Sequence, residues 1–251
     1  RERNHSIDCT LPLSLPDAIL PIDPYVLGAW LGDGSSGTAE ITGAIDDDIR
    51  SIIASTGCTV GAYRHDKRRP ETVVFRIGGT GKGKPNSLQS VLRSMSLLQN
   101  KHIPSAYLRA SPAQRLALLQ GLIDTDGSTS PRGHCEFTST NEVLASGTHE
   151  LCISLGIKAT ISQGRAMLRG RDCGPKFRIK FTTSLPVFRL PRKADRLRAR
   201  DGKGHAEQTR RRYVVSVDPA MSVPVRCIQV DSPSSLFLAS RSMIPTHNTS
   251  L

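Results

Sequence analysis

No Cys-x-x-Cys pair occurs among the six cysteines, at positions 9, 58, 135, 152, 173 and 227, and no histidine lies at zinc-finger spacing from them. That argues against zinc ligation or a disulfide framework and for buried thiols in a reducing, cytoplasmic setting. No apolar run is long enough to span a bilayer, no secretory hydrophobic segment is present, and no amphipathic basic helix suits a membrane surface, so no membrane partner is expected. Acidic residues are also scarce, 22 Asp and Glu against 34 Lys and Arg, for a net charge of +12 and a pI near 9.9. Such an excess points to a polyanion as partner, since neutralising phosphates releases counterions. The 251 residues, 37% hydrophobic with 21 glycines and 16 prolines, suit one large or two small soluble, loop-rich domains.

Two ligand-binding patterns fail for want of single residues. Gly78 to Lys84 fits G-x-x-x-x-G-K, but Pro85 stands where a phosphate loop needs Ser or Thr for its magnesium. Asp124, Asp126 and Gly127 resemble the start of a calcium loop, whose twelfth position would be Cys135 rather than a bidentate Glu. Ordinary packing accounts for Cys135, His149 and Cys152 better than a metal does.

What is present is one stretch written twice. VLGAWLGDGS (26–35) and LQGLIDTDGS (119–128) keep Gly28 and Gly121, Asp33 and Asp126, Gly34 and Gly127, Ser35 and Ser128 in step. Small residues four apart, Gly28 with Gly32 and Gly121 with Thr125, make a flat stripe on a helix, so two such helices can pack backbone against backbone. Gly34 and Gly127 are expected to close the helices in the left-handed conformation, leaving Asp33 and Asp126 at the paired ends. A carboxylate facing a helix C-terminus costs a few tenths to about 1 kcal/mol, and two together repel further. A shared divalent cation on hard oxygen ligands is the plainest compensation. The alternative, Asp-Gly merely capping two unrelated helices, must explain the same residues in the same order twice.

Order recurs around the copies. A proline-interrupted, extended lead-in (1–24) precedes the first motif helix, with Pro24 at its start. TAEITG (38–43) alternates as a strand, DDDIRSIIASTG reads as a helix ended by Gly57, TVGAYRHDKRRPETVVFRI as a hairpin, and NSLQSVLRSMSLLQ as a helix. After the second copy come the strand CEFTST (135–140), the helix NEVLASGTHELCISLG ended by Gly156, and strands in KATISQGRAMLRG and KFRIKFTT. An internal duplication is expected, with an α+β fold of two antiparallel sheets covered by helices and joined at the motif pair. Arg64, Lys67, Arg68 and Arg69 cluster on one predicted hairpin; Arg165, Arg169, Arg171, Lys176, Arg178 and Lys180 lie on the matching one. Either they face DNA, where a β-ribbon fits the major groove, or they are solvated hairpin tips. Residues 195–212, within a strongly basic stretch beginning at Arg189, read as an exposed connector.

Leu119 to Gly127 resembles the LAGLIDADG motif of homing endonucleases with only Gln120 and Thr125 changed, and the first copy is a looser version with Trp30, Leu31 and Gly32 inside it. The resemblance implies two pseudo-symmetric αββαββ-type domains, 25–110 and 111–194, in one monomeric chain. It further implies Mg²⁺, as two or three ions shared by Asp33 and Asp126 with Gly32 and Thr125 beside them, and hydrolysis of one phosphodiester in each strand of a long double-stranded site. Lys101, in NKHIPSAYL, resembles the family's block for a catalytic lysine that would polarise water and balance phosphorane charge; a helix-end cation is the alternative. By duplication a counterpart is expected, Lys193 in FRLPRKADRL with Lys180 as rival. A DNA- or RNA-binding module of the same fold, maturase-like or regulatory and without cleavage, is the competing class.

The end of the chain suggests a second chemistry. An Asn amide can attack its own carbonyl with a neighbouring His protonating the leaving amine, and a following hydroxyl can take over an acyl chain. MIPTHNTS, behind a strand at Asp231, resembles the C-terminal splicing blocks of inteins. That implies an all-β, Hint-like splicing segment over 213–248, with Asn248 cyclising, His247 and Asp231 assisting, and Thr249 opening the downstream host fragment (249–251). Thr-Ser-Leu would suit a phosphate-binding loop, hence a replicative DNA helicase as host. Ser235 stands where many inteins carry a His, which should slow cyclisation. Arg1 offers no Cys or Ser nucleophile, so splicing is expected to need an N-terminal intein half and the host exteins as partners.

Overall fold

The structure, a computed structural model, describes residues 5–45, 48–66, 69–78, 87–198, 210–224 and 226–247. Its centre is the pair α1 (Pro24–Asp33) and α5 (Pro112–Thr125), and both begin in the same way. Each has proline in its first turn, where no backbone N–H is missed, and a side-chain cap ahead of it. Asp23 accepts from Val26 N; Ser111 and Gln114 form a reciprocal capping box. Residues Tyr25 to Leu31 and Leu118 to Asp124 are all buried, so over these turns the helices are enclosed on every side rather than on one stripe, with Gln120 and Asp124 as buried polar groups.

The small residues set the spacing between the two axes. A Cβ on Gly28 would run into the Leu118 carbonyl and lie 2.9 Å from Leu122 N; one on Gly121 would lie 2.6 Å from Ala29 N. A Cβ on Gly32 would strike Thr125. Gly34 and Gly127 differ from expectation. Gly34 is extended (φ −71°, ψ 147°), and Gly127 opens a strand. Neither needs left-handed backbone; their hydrogen side is required because the chain folds straight back over the last helical turn. A Cβ at Gly34 would lie 2.5 Å from Trp30 Cδ1, and at Gly127 2.5 Å from Ile123 Cβ. Gly57 and Gly156, which do end helices, have φ of +86° and +73°.

The elements between β2 (Glu40–Ala44) and α3 (Leu88–Ser94) are α2 (Ile49–Ser55), β3 (Arg64–Asp66) and β4 (Arg69–Arg76). The second half runs α4 (Ser105–Leu108), α5, β5 (Gly127–Thr129), β6 (Cys135–Ser139), α6 (Glu142–Ser154), β7 (Ala159–Leu168), β8 (Arg171–Phe181) and α7 (Pro191–Arg198). The sheets are antiparallel with orders β2-β4-β3 and β5-β6-β8-β7. They superpose as a pattern: Gly34 bridges Ile41 where Gly127 pairs with Phe137, so the first half keeps a single bridge in place of β5. Val73, Phe75 and Ile77 on one sheet and Phe177, Ile179 and Phe181 on the other turn to the common core, by the two-residue period of a strand. Two sequence boundaries shift. α3 stops at Ser94 because Ser96 and Gln99 adopt positive φ, and α7 carries four residues of the expected connector because Leu197 is buried.

The lead-in is fastened to this body. Arg115, fully buried, donates to the carbonyls of Ala110, Leu13 and Ser154, while Leu13 N reaches Ser154 O at 2.9 Å. Gln114 brackets Ala18 through both backbone groups, and Tyr107 does the same for Ile22. Earlier, β1 (Ser6–Asp8) pairs antiparallel with β9 (Arg211–Tyr213), bringing the two flanks of the body side by side. The described part of the tail holds less strand than expected: a hairpin of β10 (Phe237–Ala239) and β11 (Ile244–Thr246), with irregular backbone over 214–224 and 226–236. Val215, Val217 and Met221 there are each at least 79% exposed, so no apolar core holds those residues in strands.

Candidate active site

Where the two motif helices end, Asp33 and Asp126 come close enough for each carboxyl group to act on the other. Asp33 is the last residue of α1 and Asp126 the C-cap of α5. Burial, and then the charge of Asp126, push the Asp33 carboxyl from 3.8 to about 7; burial also raises Asp126. Lys101 and Lys193 pull both back without cancelling the rise. The pair is therefore poised to hold a proton in common, or to exchange it for a cation.

The two lysines are placed alike. Lys101 Nζ donates to Gly32 O at 3.0 Å and Gly34 O at 2.6 Å, and lies 5.1 Å from the Trp30 ring centre. Lys193 Nζ donates to Ile123 O, Asp124 O and Gly127 O at 2.8, 2.6 and 2.6 Å. Both ammonium groups gather the carbonyls that a helix leaves unpaired at its C-terminus, the negative end of the dipole. Burial lowers the Lys101 pKa to about 8 against the opposing pull of Asp126 and Asp33. Lys193 is 5% exposed. Lys180 sits elsewhere, on the open face of β8, 3.7 Å from Glu136.

The other acid in the second motif has a different task. Asp124 accepts from Tyr25 Oη at 2.9 Å, Arg189 N at 3.0 Å and Leu190 N at 3.2 Å, which lower a pKa that burial raises. As a candidate calcium ligand it is already occupied.

Asp33 and Asp126 could hold a divalent cation through hard carboxylate oxygens, with the backbone oxygens of Gly32 and Thr125 adjacent. Gly32 O is engaged by Lys101, and Thr125 turns its hydroxyl to Gly121 O and Leu122 O. Among the described residues no group of three or more His, Cys, Asp or Glu side chains could hold a metal, so a cation here would rest on two carboxylates and backbone or water oxygens. The acids fit that: burial disfavours the ionised form of both carboxyls, and a bound cation would favour it.

The basic residues divide. Lys176, Arg178 and Lys180 share the open face of β8, opposite the buried Phe177, Ile179 and Phe181. Arg178 and Lys180 flank Glu136 at 3.0 and 3.7 Å, and Arg165 pairs with Asp172 at 2.6 Å. On the first sheet, Arg64 and Arg76 flank Glu40 at 3.1 and 3.5 Å. Glu40 and Glu136 occupy equivalent places in the two sheets, and sequence reading missed them together with Arg76. Their signal was present as a Glu one residue before the core-facing Ile41 and Phe137. Arg169 and Arg171 mark the tip of the long hairpin, Arg169 with φ of 50°, and Arg69 starts β4. Lys67 and Arg68 lie outside the described residues.

In the tail, Asp231 is exposed and His247 follows β11 directly, also exposed; Asn248 and Thr249 lie outside the described residues. Ser235 has φ of 54° in the turn before β10.

Residues 113–175 match the family described as LAGLIDADG-like domain. The match falls wholly within the second motif half. It begins inside α5 and ends within β8, so it covers the second acid, α6 and the sheet as far as Pro175. A replicative DNA helicase DnaB of Mycobacterium intracellulare is 39% identical over 251 residues, all of this chain and 39% of that protein. The chain thus spans about two fifths of that relative. A replicative DNA helicase DnaB of Mycobacterium leprae (strain TN) is 56% identical over 36 residues, 14% of this chain and 6% of that one. Among solved structures, I-DmoI in complex with DNA and Ca is similar with a TM-score of 0.46 and 15% identity, over 71% of this chain and 97% of that chain. No helix of the described residues is long and apolar enough to cross a membrane.

Proposed function

We propose that the chain is an intein-borne, site-specific homing endonuclease that makes Mg²⁺-dependent double-strand breaks in DNA, followed by the C-terminal part of a protein-splicing element in a replicative DNA helicase host. The observation that carries the reading is the carboxyl pair at the ends of two close-packed helices, with one lysine fixed at each helix end and both lysines acting on both acids. The LAGLIDADG-like match around Asp126, and the likeness of all of this chain to 39% of a DnaB helicase, support it.

Asp33 and Asp126, with the backbone at Gly32 and Thr125, would hold the Mg²⁺, about two or three ions in all; bound there, Mg²⁺ neutralises phosphate charge and acidifies water. Lys101 and Lys193, fixed at the helix ends, orient water and offset charge developing on the phosphate, one lysine for each strand. The pseudo-two-fold relation of the helices matches two antiparallel strands. Lys176, Arg178 and Lys180, with Arg64 and Arg69 on the other sheet and Arg165, Arg169 and Arg171 on the long hairpin, would neutralise phosphates of the long recognition site, Lys67 and Arg68 joining them. The protein would act as a cytoplasmic monomer. At the tail, Asn248 cyclises with help from His247 and Asp231, and Thr249 starts the host sequence, once an N-terminal intein half completes the splicing element.

A plasmid carrying the helicase junction without the insert tests the nuclease. Linearisation with Mg²⁺, lost in Asp33→Asn and Asp126→Asn, is the expected result; a band shift without nicking would leave a nucleic-acid-binding module instead. Mass spectrometry of a fusion extended past Thr249, with the N-terminal half supplied, tests the tail: an uncut fusion refutes Asn248 chemistry.

A further inference from the structure

The two lysines are equivalent in place but not in how their segments are held. The segment of Lys101 is fixed by Asn141, whose side-chain Nδ2 donates to Lys101 O at 2.8 Å, and by Gln99 N donating to Ser36 O at 2.8 Å. The segment of Lys193 is held by α5 itself. Asp124 accepts from the backbone N–H groups of Arg189 and Leu190, Gln120 Nε2 donates to Pro186 O at 2.5 Å, and Arg189 Nε returns to Gln120 Oε1 at 2.7 Å. Lys193 N and Ala194 N then donate to Leu190 O at 3.0 and 2.9 Å, so the turn fixed by Asp124 is the one that starts α7. Across the helix interface, Tyr25 Oη donates to Asp124 and the Arg189 guanidinium lies 4.3 Å from the Tyr25 ring centre.

Two of the positions where the second copy departs from the first are the ones involved: Gln120 stands where the first copy has Leu27, and Asp124 where it has Leu31. A buried carboxylate with three donors is costly to place unless something depends on it, because an apolar residue serves helix packing there as Leu31 does.

We infer that Asp124 is a positioning residue for Lys193: through the backbone of Arg189 and Leu190 it sets where the second lysine stands, and cleavage of one DNA strand depends on it while cleavage of the other does not. The consequence for cleavage rests on the nuclease reading above; the placement of Lys193 does not. Loss of Asp124 frees the 186–190 segment, and Lys193 with it, while Lys101 keeps its own supports on Asn141 and Ser36.

The test uses the full chain as Asp124→Leu, Asp124→Asn and Tyr25→Phe, the last removing one hydrogen bond from Asp124 without leaving backbone donors unpaired. Acylation of the native protein with an amine-reactive ester, read by peptide mass spectrometry, should rise at Lys193 on the order of tenfold relative to Lys101 in the Asp124 variants, and by less in Tyr25→Phe. On a duplex end-labelled in each strand, one strand's cleavage should fall on the order of 10- to 100-fold while the other stays within about twofold, so nicked circles accumulate from plasmid. Equal slowing of both strands, or Lys193 reactivity unchanged, overturns the inference. Should Asp124→Leu not fold, Asp124→Asn and Tyr25→Phe carry the same readouts, and parental strand and reactivity ratios in both overturn it. A parental protein that never cuts, with Lys193 nevertheless exposed by the Asp124 variants, overturns the nuclease and leaves the positioning intact.

Discussion

If the acid pair is a cation site, metal and pH must act on stability together and with a definite sign. A carboxyl whose pKa is higher folded than unfolded takes up a proton on folding, so the stability it contributes at low pH is lost as pH rises from the unfolded value to the folded one. For Asp33 that window runs from about 4 to about 7. At about 1.4 kcal/mol for each pH unit, the rise from 3.8 to about 7 sets a ceiling of about 4 kcal/mol on the instability of metal-free protein above neutrality. A divalent ion that binds the ionised pair reverses it. At free Mg²⁺ about 100 times its dissociation constant the gain is about 2.7 kcal/mol, or roughly 5–10 °C in Tm for a chain this long. Calorimetry of chelator-treated protein at pH 5.5 and 8.5, with and without Mg²⁺, reads this directly. Mg²⁺ should raise Tm at pH 8.5 and barely at pH 5.5, where protons hold the site. Asp126→Asn should abolish the Mg²⁺ response yet exceed the parent in metal-free stability at pH 8.5 by roughly 1–2 kcal/mol, since the like-charge repulsion is gone. An equal Mg²⁺ shift at both pH values, or one that survives the substitution, refutes the cation site.

Other outcomes follow from the same geometry. Gly121→Ala should cost at least about 3 kcal/mol in urea denaturation, because its methyl meets Tyr25 and Ala29 backbone rather than a movable side chain. Lys101→Met should lower the cleavage rate on the order of 100-fold while the DNA dissociation constant, from a filter or anisotropy titration, moves by only a few-fold. Arg115→Met should destabilise by about 3 kcal/mol and expose the bond region around Leu13 to limited proteolysis, since the guanidinium's bonds to three carbonyls are lost and, among the described residues, only Ser154 O keeps another donor, Leu13 N. Glu136→Gln should raise DNA affinity at low salt and steepen the salt dependence by a fraction of one charge, because Arg178 and Lys180 are then released from their carboxylate.

Legibility in the sequence followed the range of each interaction. The motif helices could be read because their requirement is local: small residues four apart, proline at the start, Asp-Gly at the end. Lys193 and Lys180 are rivals by family resemblance and duplication; the structure puts the Lys193 ammonium, carried by α7, at the end of α5 and Lys180 on a sheet face beside Glu136. Sequence could dismiss Asp124 as a calcium ligand but not assign its role, because its partners, Tyr25, Arg189 and Leu190, lie 65 or more residues away. The same holds for Arg115, one more cation in a basic chain until burial removes it from any DNA-binding role. Gly34 and Gly127 were assigned the right residue type for the wrong reason, since a sequence cannot tell a left-handed cap from a reversal so tight that no Cβ fits.

The meeting of lead-in and tail bears on how two chemistries could share one chain. Ser6 to Asp8 pairs with Arg211 to Tyr213, and the ladder is extended by Cys9 N donating to Arg210 O at 2.7 Å and Val214 N to His5 O at 3.0 Å. The body between them leaves and re-enters the ribbon on neighbouring strands, about 4.8 Å apart. An insertion with ends that close can sit in a turn of another domain without separating the strands on either side, and each unit keeps its own core. The body does have such a core, centred on α1 and α5. Among the described residues the tail shows none, and Val215, Val217 and Met221 are exposed. Under the proposed function the body would fold on that core, and the tail's apolar residues would be covered by other parts of the splicing element.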